Sequence, residues 1–433
     1  MPLKGFLRYT AGRTREQSER FVRAAYFGLL HRLPESSSLT QLSSQIMDGL
    51  SYGELLESIL KSPEFMRRVE PDKLNDFLIS TNSPKTQQSL KSLQFSGSTQ
   101  KCTPRNLVYF CPAISWPLGG VKVITQHSQL INSEKLSGFS SEIFFPDDPD
   151  FHLDWFKNNA KIKREPKFNR EQDIIILPEI WALKYGSILI DNKIDYAIFV
   201  QNGYYIFNEI YKGHLPSLLE LKRIYNSASF ILSVSDDTSA CIQEAFEIPN
   251  ESIYKVKPAI NCSIFRPRRG KKKNIISYMP RKLSLHADWI INQLTINPEM
   301  NWEILPIDGA DEETVAKALS ISKIFLSFSD REGFSMPPLE ASLCGNSVIG
   351  YTGEGAKEYW NTTLFKEIES GNLQVFLQTV LDEIKLLSDH EFLDVETTEK
   401  NEALDLLRNR YSSEHEAMGL SETLDSIKIT KFG

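Results

Sequence analysis

The sequence predicts an α/β protein: two doubly wound parallel-sheet domains facing a cleft, preceded by a small all-helical domain. Three observations predict it. Apolar runs of strand length recur from residue 105 onward, and the segments between them have room for crossover helices. The series is interrupted once, by "KVKPAINCSIFRPRRGKKK" (255–273), which is dense in proline and basic residues. The first 70 residues carry helical spacing alone.

In residues 1–70, Val22, Ala25, Tyr26 and Leu29 recur at helical intervals, as do Leu39, Leu42 and Ile46. Ser51 with Glu54 forms a capping box, and "SPEF" (62–65) offers a cap followed by proline at a helix start. Residues 71–104 are rich in Ser, Thr, Gln, Asn and Lys and read as a linker. Residues 105–265 form the first sheet domain, with strands in "NLVYFCP" (106–112), "SEIFFP" (141–146), "DIIILP" (173–178), "DYAIFVQ" (195–201) and "SFILSVS" (229–235). Residues 266–410 form the second, with "NIISYMP" (274–280), "NWEILPI" (301–307), "KIFLSFS" (323–329) and "NSVIGYTG" (346–353). A terminal helix in 411–433 is expected to pack back on the first sheet domain.

Composition bounds the function. The 433 residues are 41% hydrophobic and 24% charged, with a net charge of −7, so the molecule lacks the basic field that nucleic-acid binding requires. Five scattered cysteines without a C-x-x-C indicate neither a disulfide framework nor a zinc site, which fits a reducing cytoplasm. No signal-peptide core or spanning segment stands out, so any membrane work is expected from the cytoplasmic surface. Six of the eight residues from Arg266 to Lys273 are basic; they read as a solvated loop, or as a contact for anionic lipid.

The stretch "SDREGFSMPPLEASLCG" (329–345) places two carboxylates eight positions apart. "DEETVAKALS" (311–320) reads as a capped helix, after which come a strand, a loop with Glu332, a helix begun by Pro337 and Pro338 with Glu340 in its first turn, and Gly345 as its stop. Ligands of open α/β sheets collect at the carboxyl ends of the strands. There the main chain near Gly333, Phe334 and Ser335 meets a helix N-terminus, which attracts phosphate. The carboxylates would accept hydrogen bonds from hydroxyls. Together these features suit a phosphorylated, polyhydroxylated ligand, while solvated surface acids remain the bland alternative.

"EGFSMPPLE" (332–340) resembles the E-x7-E motif of retaining GT-B glycosyltransferases, especially glycosyltransferase family 4, and "CGNSVIGYTGEGAKEYW" (344–360) continues the pattern. The resemblance extends to 233–267 and to "ISYMPRK" (276–282), covering about 105–427. It implies a sugar transfer from a nucleotide-diphosphate sugar to a glycan or lipid-linked acceptor. Glu340 would receive the donor ribose hydroxyls, Glu332 would face the donor sugar, and the main chain from Gly333 to Met336 would contact sugar and diphosphate. Arg281 and Lys282 would neutralise the departing diphosphate, so neither metal nor other cofactor is expected.

In the first domain, Gly119 and Gly120 of "SWPLGGVKVITQHSQLI" (115–131) resemble the family's glycine loop, or form a plain tight turn. "VQNGYY" (200–205) brings Gln201, Asn202 and Tyr204 to the acceptor side. The family's first-domain histidine has no counterpart: His127, His152 and His214 read as surface or satisfied structural residues, and either Gln201 or Asn202 would take its place or the site has drifted. Residues 26–65 resemble a DUF4214-type helical repeat without its glycine-aromatic centre, which implies docking of a protein partner. A catalytically silent protein that binds glycan or nucleotide is the alternative to an enzyme.

Overall fold

In a computed structural model, residues 106–432 are described apart from 209, 211–213, 269–270, 299–300 and 390–397, together with 93–98 and scattered positions between 15 and 59. The chain divides into two compact units, residues 1–78 and 79–433.

In the first unit, helix α1 (Ser36–Met47) carries Leu39 and Ile46 into a small core with Val22, Ala25, Leu55 and Ile59. The spacing read from the sequence therefore marks a buried face. Ser51 and the "SPEF" segment lie outside the described residues, as does most of 71–104.

Among the described residues the second unit holds two large parallel sheets and one two-stranded parallel sheet. It opens with β1 (Gln94–Ser96), β2 (Asn106–Phe110), α2 (Gly119–Ser133), β3 (Ser140–Phe144), β4 (Ile162–Lys163), β5 (Lys167–Asn169) and β6 (Asp173–Pro178). There follow α3 (Ala182–Asp191), β7 (Tyr196–Val200), α4 (Leu215–Ser227), β8 (Phe230–Ser233), α5 (Asp236–Phe246) and β9 (Ile253–Lys255). The first sheet has the order β4-β3-β2-β6-β7-β8-β9 with all pairs parallel, while β1 pairs with β5 alone. β6, β7 and β8 are buried at every position, as befits a sheet covered by helices on both faces. Ser235 caps α5 by accepting the Thr238 N–H at 3.0 Å.

The second sheet follows with β10 (Lys273–Tyr278), α6 (Ser284–Ile296), β11 (Glu303–Pro306), α7 (Glu312–Ile321), β12 (Ser322–Glu332), α8 (Met336–Leu343), β13 (Ser347–Glu354) and β14 (Phe365–Glu367), in the order β11-β10-β12-β13-β14. Asp311 caps α7 through the Thr314 N–H at 2.7 Å. Gly345 ends α8 at φ 83°, a conformation that costs glycine no side-chain clash.

Three helices close the chain: α9 (Leu373–Asp389), α10 (Thr398–Arg410) and α11 (Ser413–Phe432). Leu404, Leu407 and Tyr411 join the second domain's core. Leu420, Leu424 and Ile427 of α11 join the first domain's. The two helices thus strap one domain to the other.

Candidate active site

β12 projects to Glu332, three residues beyond the strand end expected from sequence. Its register against β13 shifts between Ser329 and Glu332, and Arg331 takes φ 46°. Glu332 is therefore the last ladder residue, paired with Glu354, and not a loop residue as expected. Glu340 is the fifth residue of α8, in its second turn and not its first, because the helix begins at Met336. Glu332 closes the central strand and Glu340 follows on α8, so both stand at the strand's carboxyl end.

Glu332 is in ion-pair contact with Lys282, and Arg281 Nε stands 3.5 Å from Asp308 Oδ1. Burial pulls the Lys282 ammonium down to about 8, with the neighbouring Arg281 charge acting the same way. Burial pushes the Glu340 carboxyl up to about 7; Lys122 opposes that shift and Glu312 adds to it. Lys122, on the first turn of α2, pairs with Glu312 on α7, so this charge contact joins the two domains.

Among the described residues, no hydrogen bond uses the main-chain N–H of Gly333, Phe334, Ser335 or Met336. The side chains there have other work. The Phe334 ring packs 5.5 Å from Tyr359 and 5.3 Å from Tyr411, and touches the cores of both domains. Ser335 Oγ shares a 2.7 Å hydrogen bond with Ser329 Oγ, while its carbonyl accepts from the Tyr359 hydroxyl. What this segment offers a ligand is main chain.

Gly333 serves an unexpected neighbour. A Cβ there would lie 2.0 Å from the Gln201 carbonyl oxygen and 2.8 Å from Asn202 Cα, so the missing side chain admits the first domain's main chain. Gly119 and Gly120 are the first two residues of α2 and not a loop before it. Met336 Cε would stand 2.7 Å from a Cβ on Gly119, and Gln201 Oε1 3.1 Å from one on Gly120. The structure thus brings Gly119, Gly120, Gln201, Gly333 and Met336 to one junction.

The residues expected on the acceptor side divide. Asn202 is buried: its Nδ2 donates to the Arg331 carbonyl at 2.8 Å and its Oδ1 accepts from the Tyr204 N–H. The Tyr204 hydroxyl donates to Asp237 at 3.1 Å. Their polar groups are engaged in structure, which leaves Gln201 as the amide facing the glycine pair. His127 is neither a surface nor a satisfied residue: it is fully buried, its nitrogens make no hydrogen bond, and Nε2 lies 3.4 Å from the equally buried Glu416 of α11. His152 and His214 are exposed.

Sequence reasoning passed over Glu179, Lys122, Glu312 and Asp308. Glu179 follows β6 directly, and the rule that located Glu332 at a strand's carboxyl end applies to it equally. Also passed over was a D-x-D triplet, Asp148–Pro149–Asp150, whose aspartates lie exposed after β3. No cluster of three or more His, Cys, Asp or Glu suited to a metal occurs among the described residues. Of the six basic residues in 266–273, Lys272 turns inward to the carbonyls of Leu319 (3.0 Å) and Ser322 (2.6 Å), and Arg268 faces Glu313 at 3.2 Å. Among the described residues, no helix is long and apolar enough to cross a membrane.

No protein-family model matches the chain. It is similar to an alpha-1,6-glucosyltransferase of Actinobacillus pleuropneumoniae serotype 7 (strain AP76), 28% identical over 189 residues, which are 42% of this chain and 53% of the relative. The chain therefore spans about half the length of that curated relative. Among solved structures, sucrose-phosphate synthase from Thermosynechococcus elongatus aligns with a TM-score of 0.55 at 11% identity, over 75% of this chain and 99% of that one. HepE from Anabaena, solved in complex with UDP, aligns with a TM-score of 0.53 at 10% identity, over 74% and 100%. At such identities the likeness is one of fold: two parallel-sheet domains in the GT-B arrangement.

Proposed function

We propose that this chain is a glycosyltransferase that moves a sugar from a nucleotide-diphosphate sugar to a glycan or lipid-linked saccharide acceptor, with retention of configuration and without a metal. The observation that carries the reading is the grouping at the carboxyl end of β12: two carboxylates, the Arg281–Lys282 pair and unengaged main-chain N–H groups at the start of α8. Hydroxyl acceptors beside anion donors suit a nucleotide sugar. The alpha-1,6-glucosyltransferase relative and the UDP-bound structural neighbour support it and make UDP-sugars the first donors to test.

In this reading Glu340 accepts hydrogen bonds from the ribose hydroxyls, and Glu332 orients the donor sugar and holds Lys282 in place. Arg281 and Lys282, with the N–H groups of Gly333 to Met336, stabilise the charge that grows on the leaving diphosphate. A preorganised donor of this kind lowers a barrier by about 2.7–4 kcal/mol. The departing phosphate oxygen takes the acceptor's proton as the new bond forms on the same face. Gln201 is the first-domain group that contacts the donor sugar, beside Gly119 and Gly120.

Peripheral contact with an anionic membrane belongs to the proposal and rests on the exposed Arg266, Lys271 and Lys273. Partner docking by the N-terminal helical unit belongs to it on the resemblance alone, as does family 4 membership. Incubation with UDP-, GDP- and dTDP-sugars in EDTA, with nucleotide release followed in the presence of host glycan extract, tests the reading. Turnover in EDTA is expected. Binding without turnover for every donor would assign the protein to the silent alternative, and strict metal dependence would overturn the mechanism.

A further inference from the structure

We propose that Glu179 is a positioning residue for this reaction: by holding the main chain at Asn202, next to Gln201, it sets how the first domain meets the Glu332–Met336 segment of the second. The kinetic part rests on the function proposed above. The structural part rests on geometry alone.

Glu179 stands at the carboxyl end of β6 and is 5% exposed. Its Oε1 accepts the Asn202 N–H at 3.0 Å. Main-chain N–H groups face it, and among the described residues no ion pair involves it. Burial without a cation costs a carboxylate several kcal/mol on the order-of-magnitude scale for buried ions, and it pushes this one up to about 7. A neutral single acceptor would be cheaper to bury. What the carboxyl supplies is an acceptor on the main chain of Asn202, the residue whose side chain reaches the Arg331 carbonyl.

The segment so held is a three-way junction. Asn202 Nδ2 reaches the Arg331 carbonyl at 2.8 Å, one residue before Glu332. The Gln201 carbonyl oxygen lies 2.0 Å from where a Gly333 Cβ would stand, and the Gln201 side chain abuts Gly120. A shift of this loop therefore moves the glycine pair and the start of the Glu332–Met336 segment relative to each other. A misplacement of about 1 Å near reacting groups costs up to about 100-fold in rate.

The test uses the full chain with Glu179→Ala and Glu179→Gln, read by hydrogen exchange and by turnover of UDP-glucose. In Glu179→Ala, exchange is expected to rise together at 200–204 and 331–336, with β2 and β10 still protected. Turnover should fall about 10- to 100-fold with a smaller change in donor KM. Glu179→Gln keeps one acceptor oxygen, so it should restore part of both and lack the pH limb near 7 expected of the wild type. A rise confined to 200–204, or activity lost only in proportion to the folded fraction, would overturn the proposal. If the wild type turns over no donor, the functional reading fails, and coupled exchange at 331–336 still decides the role of Glu179.

Discussion

At the scale of single residues, the two glutamates open to direct test have separable roles from their cationic neighbours. Glu340 is held near a pKa of 7 by burial, so a ligand that offers hydroxyls to its carboxylate repays part of that cost. Glu340→Ala should therefore weaken donor binding by about 10- to 100-fold, the equivalent of about 1.5–3 kcal/mol for hydrogen bonds to a charged group. Arg281→Ala should instead lower kcat by about 100- to 1,000-fold with donor affinity little changed, which steady-state kinetics resolves. Gly333→Ala should destabilise the chain by about 1–3 kcal/mol, since its new Cβ meets main chain that cannot rotate away; urea unfolding measures it. The E-x7-E spacing and the Arg281–Lys282 pair were legible because all four residues sit on contiguous sequence signals. Lys122 was not, because its partner Glu312 lies in the other domain; Glu179 sits at a strand end that the same rule reaches, but its hold on the Asn202 main chain was not legible.

At the scale of elements, each strand expected from an apolar run is present, with ends moved by at most three residues. The central strands are legible because burial on both faces demands continuous apolar runs. β1, β4, β5, β9 and β14 were missed: each has two or three residues, too few for either periodicity. β12 outran its expected end because its last residues, Asp330 to Glu332, are charged and carry no strand signal. The C-terminal helices show what a tertiary role adds to an amphipathic pattern. Leu424→Ala on α11 removes packing from the first domain's core and should cost about 2–5 kcal/mol, read as a fall in the denaturation midpoint.

At the scale of the molecule, the domains are joined around Glu358, whose carboxylate accepts the Asp236 N–H and the Tyr411 hydroxyl and lies 3.5 Å from Lys257 and 3.7 Å from Arg410. These groups come from α5, the interdomain segment and the α10–α11 junction, so removing the carboxylate loosens the strap. Two desolvated carboxyls set a pH signature. Glu179 and Glu340 are each raised from 4.5 to about 7, so folding favours their protonated forms. The stability they contribute is full below about pH 4.5 and is lost as pH rises through about 7. Calorimetry of the ligand-free chain should show Tm falling over that window, with a shallower fall in Glu340→Gln. The measurement that bears most directly on the function is a calorimetric titration of UDP-glucose, and then of GDP- and dTDP-sugars, into wild type and Glu340→Ala in EDTA. Saturable binding of one donor, weakened about 10- to 100-fold by the substitution, is the expected result. Absence of binding for every donor, or equal affinity in both proteins, would contradict it.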